Sequence, residues 1–469
     1  MTETTASAAG SWRELLGRDY LGAVIVLAGG VAIYATNEFI TMSLLPSTVA
    51  DIGGERLYAW VTTVYLVASV MAATTVGPVL NRFGPRMAYL GAFSSFAVGS
   101  AVCALAPTMQ MLLVGRVVQG LAGGVLAGLG YAVISAALPD RLWTRASAVV
   151  SAMWGIGTLV GPATGGLFAQ FGFWRGGFGM LAVLAVAMGL LVPLVLPARS
   201  ESDGAPSPTR IPIWSLLLLG VAALAVSAAA IPRSAAAITG LLAVAVVLVL
   251  VFIAVDRRVS AAVLPRMVFE PGPLKWIYLT LGLLLVATMV DMYVPLFGQR
   301  LGALAPVVAG FLGAALSVGW TVAEIASASI TNIRMTVRVV AIAPLVMAVG
   351  LALAAFTQTD SAPITVVALW ALALVITGSG IGMAWPHLSA WAMGAVVDDP
   401  AQQAVAAAAI STVQLMSGAF GAGLAGVLVN LRATPDATAS RLMFAVFAIL
   451  AVVGSVASYR SGRGRVTAA

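Results

Sequence analysis

Long apolar runs alternate with short polar stretches along nearly the whole chain of 469 residues. Each run is about 20 residues long, the length that an α-helix needs to cross the hydrocarbon core of a membrane. The runs come in groups of six, two and six, and an even number of spans places both termini on one side. The predicted spans are Leu21–Leu45, Leu57–Leu80, Met87–Ala106, Met109–Leu138, Ala146–Phe168, Phe178–Leu196, Ile213–Ala230, Ala235–Val255, Trp276–Phe297, Val307–Ile330, Val339–Phe356, Ile364–Trp385, Ala404–Leu428 and Leu442–Val456.

This pattern predicts an all-α integral membrane protein made of two six-helix bundles and two linker helices. The predicted units are a cytoplasmic segment 1–20, a bundle 21–196, a linker 197–275 with two extra spans, a bundle 276–459 and a cytoplasmic tail 460–469. The two linker spans are almost entirely Ala, Leu and Val, so we expect them to pack peripherally, without substrate contact.

Charge orients the predicted spans. With both termini inside, seventeen of the 24 basic residues lie in cytoplasmic segments and six lie outside, while Arg116 falls within the fourth span. This ratio satisfies the positive-inside rule. Asp398 and Asp399 also fall on an inner turn, but acidic residues carry little weight in topology.

Composition excludes several classes of protein. With 61% hydrophobic and 9% charged residues and a mean hydropathy of +1.04, the chain needs lipid around it. The net charge of +7 comes from arginines scattered between spans, so nucleic acid is not an expected partner. One cysteine, Cys103, and one histidine, His387, leave little material for a metal cluster or a catalytic triad. We therefore expect no enzyme activity and no cofactor, and a monomer in a bacterial-type plasma membrane.

Three motifs stand out in the first half. Gly77-Pro-Val-Leu-Asn81-Arg82-Phe-Gly84-Pro-Arg86 lies between spans two and three, and Arg116-Val-Val-Gln119-Gly120 lies within span four. Gly157-Thr-Leu-Val-Gly161-Pro162-Ala-Thr-Gly165-Gly166 lies in span five. In this order and placement they resemble the signature motifs of the major facilitator superfamily, and the third resembles the motif of its antiporters.

The rest of the chain extends the resemblance. Six plus two plus six spans is similar to the fourteen-helix drug:proton antiporter branch, as are Tyr293–Gln299 and Gln414–Gly421. Glu38–Pro46 is more similar to the twelve-helix efflux proteins of the same superfamily. The resemblance implies two bundles around a central cavity and transport by alternating access.

The motifs also have direct physical interpretations. Gly157, Gly161 and Gly165 repeat every four residues and let another helix approach closely, and Pro162 can bend that helix. The alternative is an ordinary contact between helices. In the resembled family, the segment with Arg82 and Arg86 is a conformational latch with an acid where this chain has Asn81, which cannot form an ion pair. Alternatively, these arginines only set topology.

Three acidic residues fall within predicted spans: Glu38, Asp291 and Glu324. A carboxylate in hydrocarbon costs about 2.5–3.5 kcal/mol on insertion scales, so each is expected to face a cavity or a partner. Loss of hydration disfavours the charged form, which suits a reversible proton carrier. Glu38 lies in the first span of the first bundle and Asp291 in the first span of the second bundle, at corresponding positions. They are expected to face each other near the midplane, where transporters of this kind bind substrate. For each acid the alternative is a structural hydrogen bond or ion pair.

Several other polar residues are candidates for proton transfer or substrate contact beside these acids. Arg116, with Gln119 one turn away, is expected to bond or polarise a carboxylate across the interface between the bundles; the resemblance implies proton transfer, and helix bracing is the alternative. Tyr34, Asn37, Tyr293 and Gln299 are the candidate substrate contacts, since they lie nearest the acids in sequence. His387 favours a structural hydrogen bond over a proton-transfer role.

These features predict a proton-coupled antiporter that exports small lipophilic or cationic molecules. The alternative within transport is a proton-coupled or passive transporter of a specific metabolite or lipid precursor. A membrane-embedded enzyme lacks a visible nucleophile or ligand cluster, a receptor or scaffold would have no use for three buried acids, and no G-x-x-x-x-G-K-[ST] loop for ATP occurs.

Overall fold

The computed structural model describes residues 11–196, 211–259, 261–330, 332–394, 400–431 and 436–462. Within those ranges all regular elements are helices. The predicted boundary over 197–210 and the acidic pair Asp398 and Asp399 lie outside the described residues.

The N-terminal half begins with a short helix and continues through six long ones. Its elements are α1 Trp12–Leu15, α2 Arg18–Ile52, α3 Tyr58–Ala73, α4 Val76–Ala104, α5 Met109–Ala132, α6 Ile134–Ala137, α7 Trp143–Gln170 and α8 Trp174–Val195.

Two linker helices and the C-terminal half follow. Their elements are α9 Ile213–Ala228, α10 Ala235–Asp256, α11 Leu274–Thr288, α12 Val294–Gly302, α13 Pro306–Ala328, α14 Ile333–Thr357, α15 Ile364–Gly394, α16 Pro400–Asn430 and α17 Asp436–Gly462.

Thirteen helical segments among the described residues are long and apolar enough to cross a membrane, with α11 and α12 forming one of them. The apolar helix α9 has 16 residues and supplies a shorter fourteenth. At 1.5 Å per residue α9 spans about 24 Å, somewhat less than a typical hydrocarbon core. The grouping of six, two and six that the hydropathy pattern predicts is therefore present.

The segment Gly77–Arg86 is helical and not the loop that the sequence predicts. Span two ends at Ala73, and α4 already begins at Val76. Gly84 interrupts α4 with φ +74°, a left-handed backbone angle that glycine tolerates and most other residues do not. Pro85 follows directly and starts the second part of the helix, where a missing N–H is harmless.

The ninth span is present, but its helix type changes partway along. α11 ends at Thr288, a 3-10 helix covers Met289–Tyr293, and α12 starts at Val294 with Pro295 in its first turn. Hydropathy does not detect this change, because all three pieces are apolar enough to read as one span. Asp291 lies in the middle of the 3-10 segment.

The two halves meet along a seam formed by four helices. In this seam α7 packs against α13, and α3 packs against α16. α2 makes smaller contacts with α12 and α13. The end of the molecule with Glu55, Arg300 and Asp436 is called the Arg300 end below, and the end with Arg82, Arg86 and Arg141 is called the Arg82 end. The charge pattern predicts that the Arg82 end is cytoplasmic.

The linker helices differ from each other. α10 packs mainly on α9 and is largely exposed, as expected for a peripheral helix. α9 instead packs against both α3 and α16, and Ser227 of α9 hydrogen-bonds Thr63 at 2.8 Å. The indole of Trp60 donates to the carbonyl of Ser227 at 3.0 Å. α9 therefore covers the seam on one side, which its uniform apolar sequence does not indicate.

Candidate functional site

Glu38 lies near the middle of α2, partly exposed and surrounded by buried residues of the same helix. Within the described part of the chain it forms no ion pair. It is nevertheless close enough to Arg116 for their charges to attract each other. This carboxylate is therefore accessible and electrostatically linked to a buried cation.

Arg116 is 1% exposed and lies in the interior of the N-terminal half. Its Nε donates to the carbonyl of Val61 at 3.1 Å, and its Nη1 lies 3.2 Å from Asn37 Oδ1 and 3.0 Å from Gln119 Oε1. Its guanidinium carbon lies 4.0 Å from the ring centre of Tyr65, a cation–π contact. All of these partners are neutral groups of the N-terminal half. Among the described residues, Arg116 therefore forms no hydrogen bond to a carboxylate across the interface.

The side chain of Gln119 connects Arg116 to α4. Its Nε2 donates to Ser100 Oγ of α4 at 2.8 Å, so both ends of the amide have partners. At Gly120, an added Cβ would lie 2.5 Å from the carbonyl oxygen of Tyr65, so α5 and α3 are in backbone contact there. Arg116, Asn37 and Gln119 thus form a rigid polar cluster that we call the Arg116 cluster.

Asp291 is 7% exposed, and its Oδ1 is buried with no hydrogen-bond partner in the part of the chain that the structure describes. A Cβ added to Gly313 of α13 would lie 3.3 Å from this oxygen. The carboxylate is thus held against the backbone of α13 at the break between α11 and α12. A short 3-10 stretch inside a long helix often marks a functional hinge, and buried unsatisfied polar groups are rare in proteins.

Glu38 and Asp291 come from opposite halves and lie close enough for their negative charges to repel each other. That the two acids face each other near the midplane stays a prediction. Two carboxylates in one poorly solvated region do not easily ionise together. A proton or a cation between them relieves the repulsion.

The four predicted substrate contacts are placed differently from one another. Tyr34 is 1% exposed and packs against Tyr65 and Trp154, with ring centres 5.6 Å apart in each case. Asn37 is fully buried, and its Nδ2 has no partner although its Oδ1 accepts from Arg116. These two residues support the Arg116 cluster from within the helix bundle.

Tyr293 and Gln299 lie beyond Asp291 toward the Arg300 end. Tyr293 is 1% exposed, stacks on Tyr58 with ring centres 4.7 Å apart, and has an unpartnered hydroxyl group. Gln299 is partly exposed, and its Nε2 is buried without a partner. Both therefore retain unused hydrogen-bonding groups.

Glu324 is separated from the other two acids along α13. Its Oε2 accepts a hydrogen bond from the indole of Trp320 at 2.9 Å, and it lies toward the Arg82 end. His387 of α15 is close by and hydrogen-bonds Ser327 at 2.8 Å, which is the structural arrangement favoured by its sequence position. Charge repulsion thus relates Glu38 to Asp291, whereas Glu324 belongs to a different group of side chains.

The glycines of α7 bring three helices together. Gly157, Gly161 and Gly165 face α2, where an added Cβ would lie within 3.1 Å of the backbone at Ala35, Ile40 or their neighbours. Gly166 faces the other half, and its Cβ would lie 2.5 Å from Val307 Cα. Pro162 also lies at this contact, since its carbonyl oxygen is 3.3 Å from a Cβ added to Gly310. α7 therefore makes close backbone contacts with both α2, which carries Glu38, and α13.

The segment with Gly77, Asn81, Arg82, Gly84 and Arg86 lies at the Arg82 end. Gly77, Asn81 and Arg82 are exposed, and no atom lies within 4 Å of a Cβ added to Gly77. The guanidinium carbon of Arg82 is 5.5 Å from the ring centre of Phe83. This segment makes no large helix–helix contact with the C-terminal half among the described residues.

The described hydrogen bonds between the halves lie from mid-membrane to the Arg300 end. Tyr58 donates to the carbonyl of Met292 at 3.2 Å, and Arg300 forms ion pairs with both Glu55 and Asp436. Arg56 also donates to the carbonyl of Ile231 in the linker at 2.7 Å. The seam is therefore closed by polar contacts at the Arg300 end.

Two helical halves that meet around two carboxylates, with a change of helix type at Asp291, are typical of secondary transporters, which bind substrate near mid-membrane. The chain belongs to the Major Facilitator Superfamily, whose family model matches residues 27–422. It is therefore a multi-pass membrane transporter.

Individual proteins agree with this membership. The chain is 61% identical over 465 residues to the probable multidrug-efflux transporter Rv1634 of Mycobacterium tuberculosis, covering 98% of both chains. The crystal structure of the nucleoside transporter NupG matches with a TM-score of 0.68 at 13% identity, over 95% of this chain and 100% of NupG. A D-xylose-proton symporter matches with a TM-score of 0.64 at 14% identity, over 94% of this chain and 97% of the symporter. At such identities the two structures show the fold alone.

Proposed function

We propose that this transporter is a proton-coupled antiporter that exports small lipophilic or cationic molecules by alternating access. The observation that carries the proposal is the pair of carboxylates, Glu38 and Asp291, one from each half and close enough to repel each other. Neither carboxylate has an ion-pair partner among the described residues. A site with surplus negative charge attracts either protons or a cation. Because protons and the cation compete for the same site, their transport is coupled.

In the proposed cycle the acids are protonated while the site faces the outside. Loss of negative charge weakens the attraction for a bound cation, which leaves. The neutral site then turns toward the cytoplasm, where the protons dissociate and a new cation binds. The protons move inward down their gradient and the cation moves outward, so the membrane potential and the pH gradient can both contribute to export.

Arg116 has a supporting part in this proposal. Its hydrogen bonds fix Asn37 and Gln119, and its charge acts on Glu38 without direct contact.

The name of the relative in Mycobacterium tuberculosis supports the choice of export over uptake. A protein that is 61% identical over 98% of the chain bears the name of a probable multidrug-efflux transporter. The fold itself does not distinguish export from uptake, because a D-xylose-proton symporter has the same fold. A transporter of a specific metabolite or a lipid precursor is the alternative outcome of the test below.

The test uses purified protein in liposomes that contain a pH-sensitive dye. Ethidium, a lipophilic organic cation, is added while proton movement is recorded for wild type and for Glu38→Gln. Ethidium-evoked proton movement in wild type, and its loss in Glu38→Gln, is the expected result. Asp360→Asn serves as the control, since Asp360 lies in an exposed turn far along the chain from both acids.

Two results would count against the proposal. Ethidium transport without proton movement would leave a facilitator. Normal proton movement in Glu38→Gln would remove Glu38 from coupling and leave Asp291 as the remaining acid of the pair.

A further inference from the structure

A second group of aromatic and acidic side chains lies toward the Arg82 end of the C-terminal half, apart from the Glu38 and Asp291 pair. It consists of Trp320 and Glu324 of α13 and Trp385 of α15, and we call it the Trp320 cluster. All three side chains are partly exposed. The rings of Trp320 and Trp385 have centres 5.6 Å apart and planes inclined at 60°, so they form an open corner.

Glu324 is held at this corner. Its Oε2 accepts from the indole Nε1 of Trp320 at 2.9 Å, which fixes the carboxylate beside the rings. No arginine or lysine forms an ion pair with Glu324 in the part of the chain that the structure describes. A fixed carboxylate next to two tryptophans is the arrangement that binds organic cations, through charge attraction and cation–π contacts.

The backbone beneath the cluster is rigid. Gly378 and Gly382 of α15 pack against Trp320 so closely that an added Cβ would lie 2.9 Å from its nitrogen and 2.2 Å from its oxygen, respectively. The two helices cannot separate at this turn without losing those contacts. The corner therefore needs little rearrangement to bind a ligand, which lowers the cost of binding.

The direction of α13 shows what the cluster faces. Gly310, Gly313, Ser317 and Glu324 are spaced along one helical face, and an added Cβ at Gly310 would lie 2.8 Å from Ser43 Oγ in the N-terminal half. The exposed residues Val318, Val322 and Ile325 lie on a different face. Glu324 thus lies on the side of α13 that faces the seam, eleven residues beyond Gly313 and about 16 Å further along the axis.

We propose that Trp320, Trp385 and Glu324 form a first binding site for organic cations at the Arg82 end of the seam, about 16 Å from Asp291. This inference rests on the proposed export of cations and extends it. A cation from the predicted cytoplasmic side binds at the cluster and then passes along α13 to the pair of acids. Glu324 is a substrate-binding residue in this scheme and not a carrier of the exchanged protons.

Binding to purified protein tests the site apart from transport. Ethidium fluorescence is titrated in maltoside micelles, whose headgroups are uncharged, so that no lipid cation competes. In the double variant Glu38→Gln, Asp291→Asn we expect residual ethidium binding. Adding Glu324→Gln is expected to weaken that binding about tenfold, and adding Trp385→Phe, which keeps the Trp320–Glu324 hydrogen bond, is expected to weaken it less.

Two matched controls accompany these variants. Asp360→Asn removes an exposed carboxylate elsewhere, and Trp214→Phe changes a tryptophan that is 69% exposed on α9. Neither is expected to change the Kd. Absence of residual binding in the double variant, or residual binding that Glu324→Gln leaves unchanged, would overturn the inference.

A transport assay separates the substrate-binding role of Glu324 from a role in proton coupling. In the otherwise wild-type protein, Glu324→Gln should raise the KM for ethidium about tenfold and leave the protons moved per ethidium unchanged. A changed proton ratio would contradict the binding role. If wild type binds ethidium at the cluster but moves no protons, the antiport proposal fails while this inference stands.

Discussion

The Arg116 cluster in the N-terminal half and the surroundings of Asp291 in the C-terminal half differ in how their polar groups are satisfied. Arg116 is 1% exposed and has hydrogen-bond partners on three helices. Asp291 is 7% exposed, lies at a helix break, and has an oxygen with no partner. Apart from Asn37 Nδ2, the polar groups of the Arg116 cluster are hydrogen-bonded and hold one structure, whereas the unpaired oxygen of Asp291 gains by binding something else. The N-terminal half thus supplies a fixed frame, and the C-terminal half supplies the group whose state changes.

The largest effect is expected in the Arg116 cluster. Arg116→Met removes the hydrogen bonds that Arg116 donates to Asn37 Oδ1, Gln119 Oε1 and the carbonyl of Val61, and we expect a loss of about 3 kcal/mol of stability. The midpoint of thermal unfolding in detergent measures it. Arg338→Met, at an exposed arginine, is the control and should change stability by less than about 0.5 kcal/mol. Equal midpoints for the two variants would show that the Arg116 cluster is not a structural frame.

The opposite effect on stability is expected from a substitution at Asp291. Asp291→Asn removes a buried carboxylate that lacks a full set of partners, so stability should rise by about 1 kcal/mol while ethidium-evoked proton movement is lost. The same thermal midpoint and the proton assay in liposomes measure both effects. A lower midpoint would indicate that Asp291 is a structural residue, and the contrast between the two regions would disappear.

The seam between the regions provides a test of movement. Gly166→Ala places a Cβ 2.5 Å from Val307 Cα, so α7 and α13 must move apart and a state opened at the Arg300 end gains population. Ser43→Cys reports this opening, because Ser43 is 1% exposed and Cys103, the single native cysteine, is buried. We expect about tenfold faster labelling by a thiol reagent. Gly155→Ala, with no atom within 4 Å of the added Cβ, should leave the rate unchanged.

The smallest effect is expected at the surface of the Arg300 end. Arg300→Gln removes ion pairs with Glu55 and Asp436, all of which are partly exposed to solvent. Exposed pairs contribute about 0–1 kcal/mol, so labelling at Ser43→Cys should rise by a factor of about five at most. High salt should produce a similar change in wild type. A much larger increase would mean that Arg300 controls the seam more strongly than exposed charges do.

The fold was predictable from sequence because long apolar spans and the sign of loop charges are properties of the chain itself. The break at Met289–Tyr293 was not, since its residues are as apolar as their neighbours on average. Asp256 directly follows the predicted span Ala235–Val255, yet it is 1% exposed, and its carboxylate accepts from the N–H groups of Val263 and Leu264. Its burial depends on how the following segment folds back, which composition does not reveal.

The candidate site was predictable only in part for the same reason. Glu38 and Asp291 stand out because acids are rare in apolar spans. The neutral partners of Arg116 do not stand out, because Asn37 and Gln119 acquire their roles from contacts between helices. Trp320 and Trp385 are 65 positions apart in the chain, and only the packing of α13 on α15 brings them together with Glu324.

The central claim is that protons and a cation compete for Glu38 and Asp291. Proton release on binding tests it most directly: ethidium is mixed with purified protein in weakly buffered detergent solution that contains a pH indicator. Wild type should release protons in proportion to the ethidium bound at the pair, and the double variant Glu38→Gln, Asp291→Asn should release none. Equal proton release by wild type and the double variant would contradict the account.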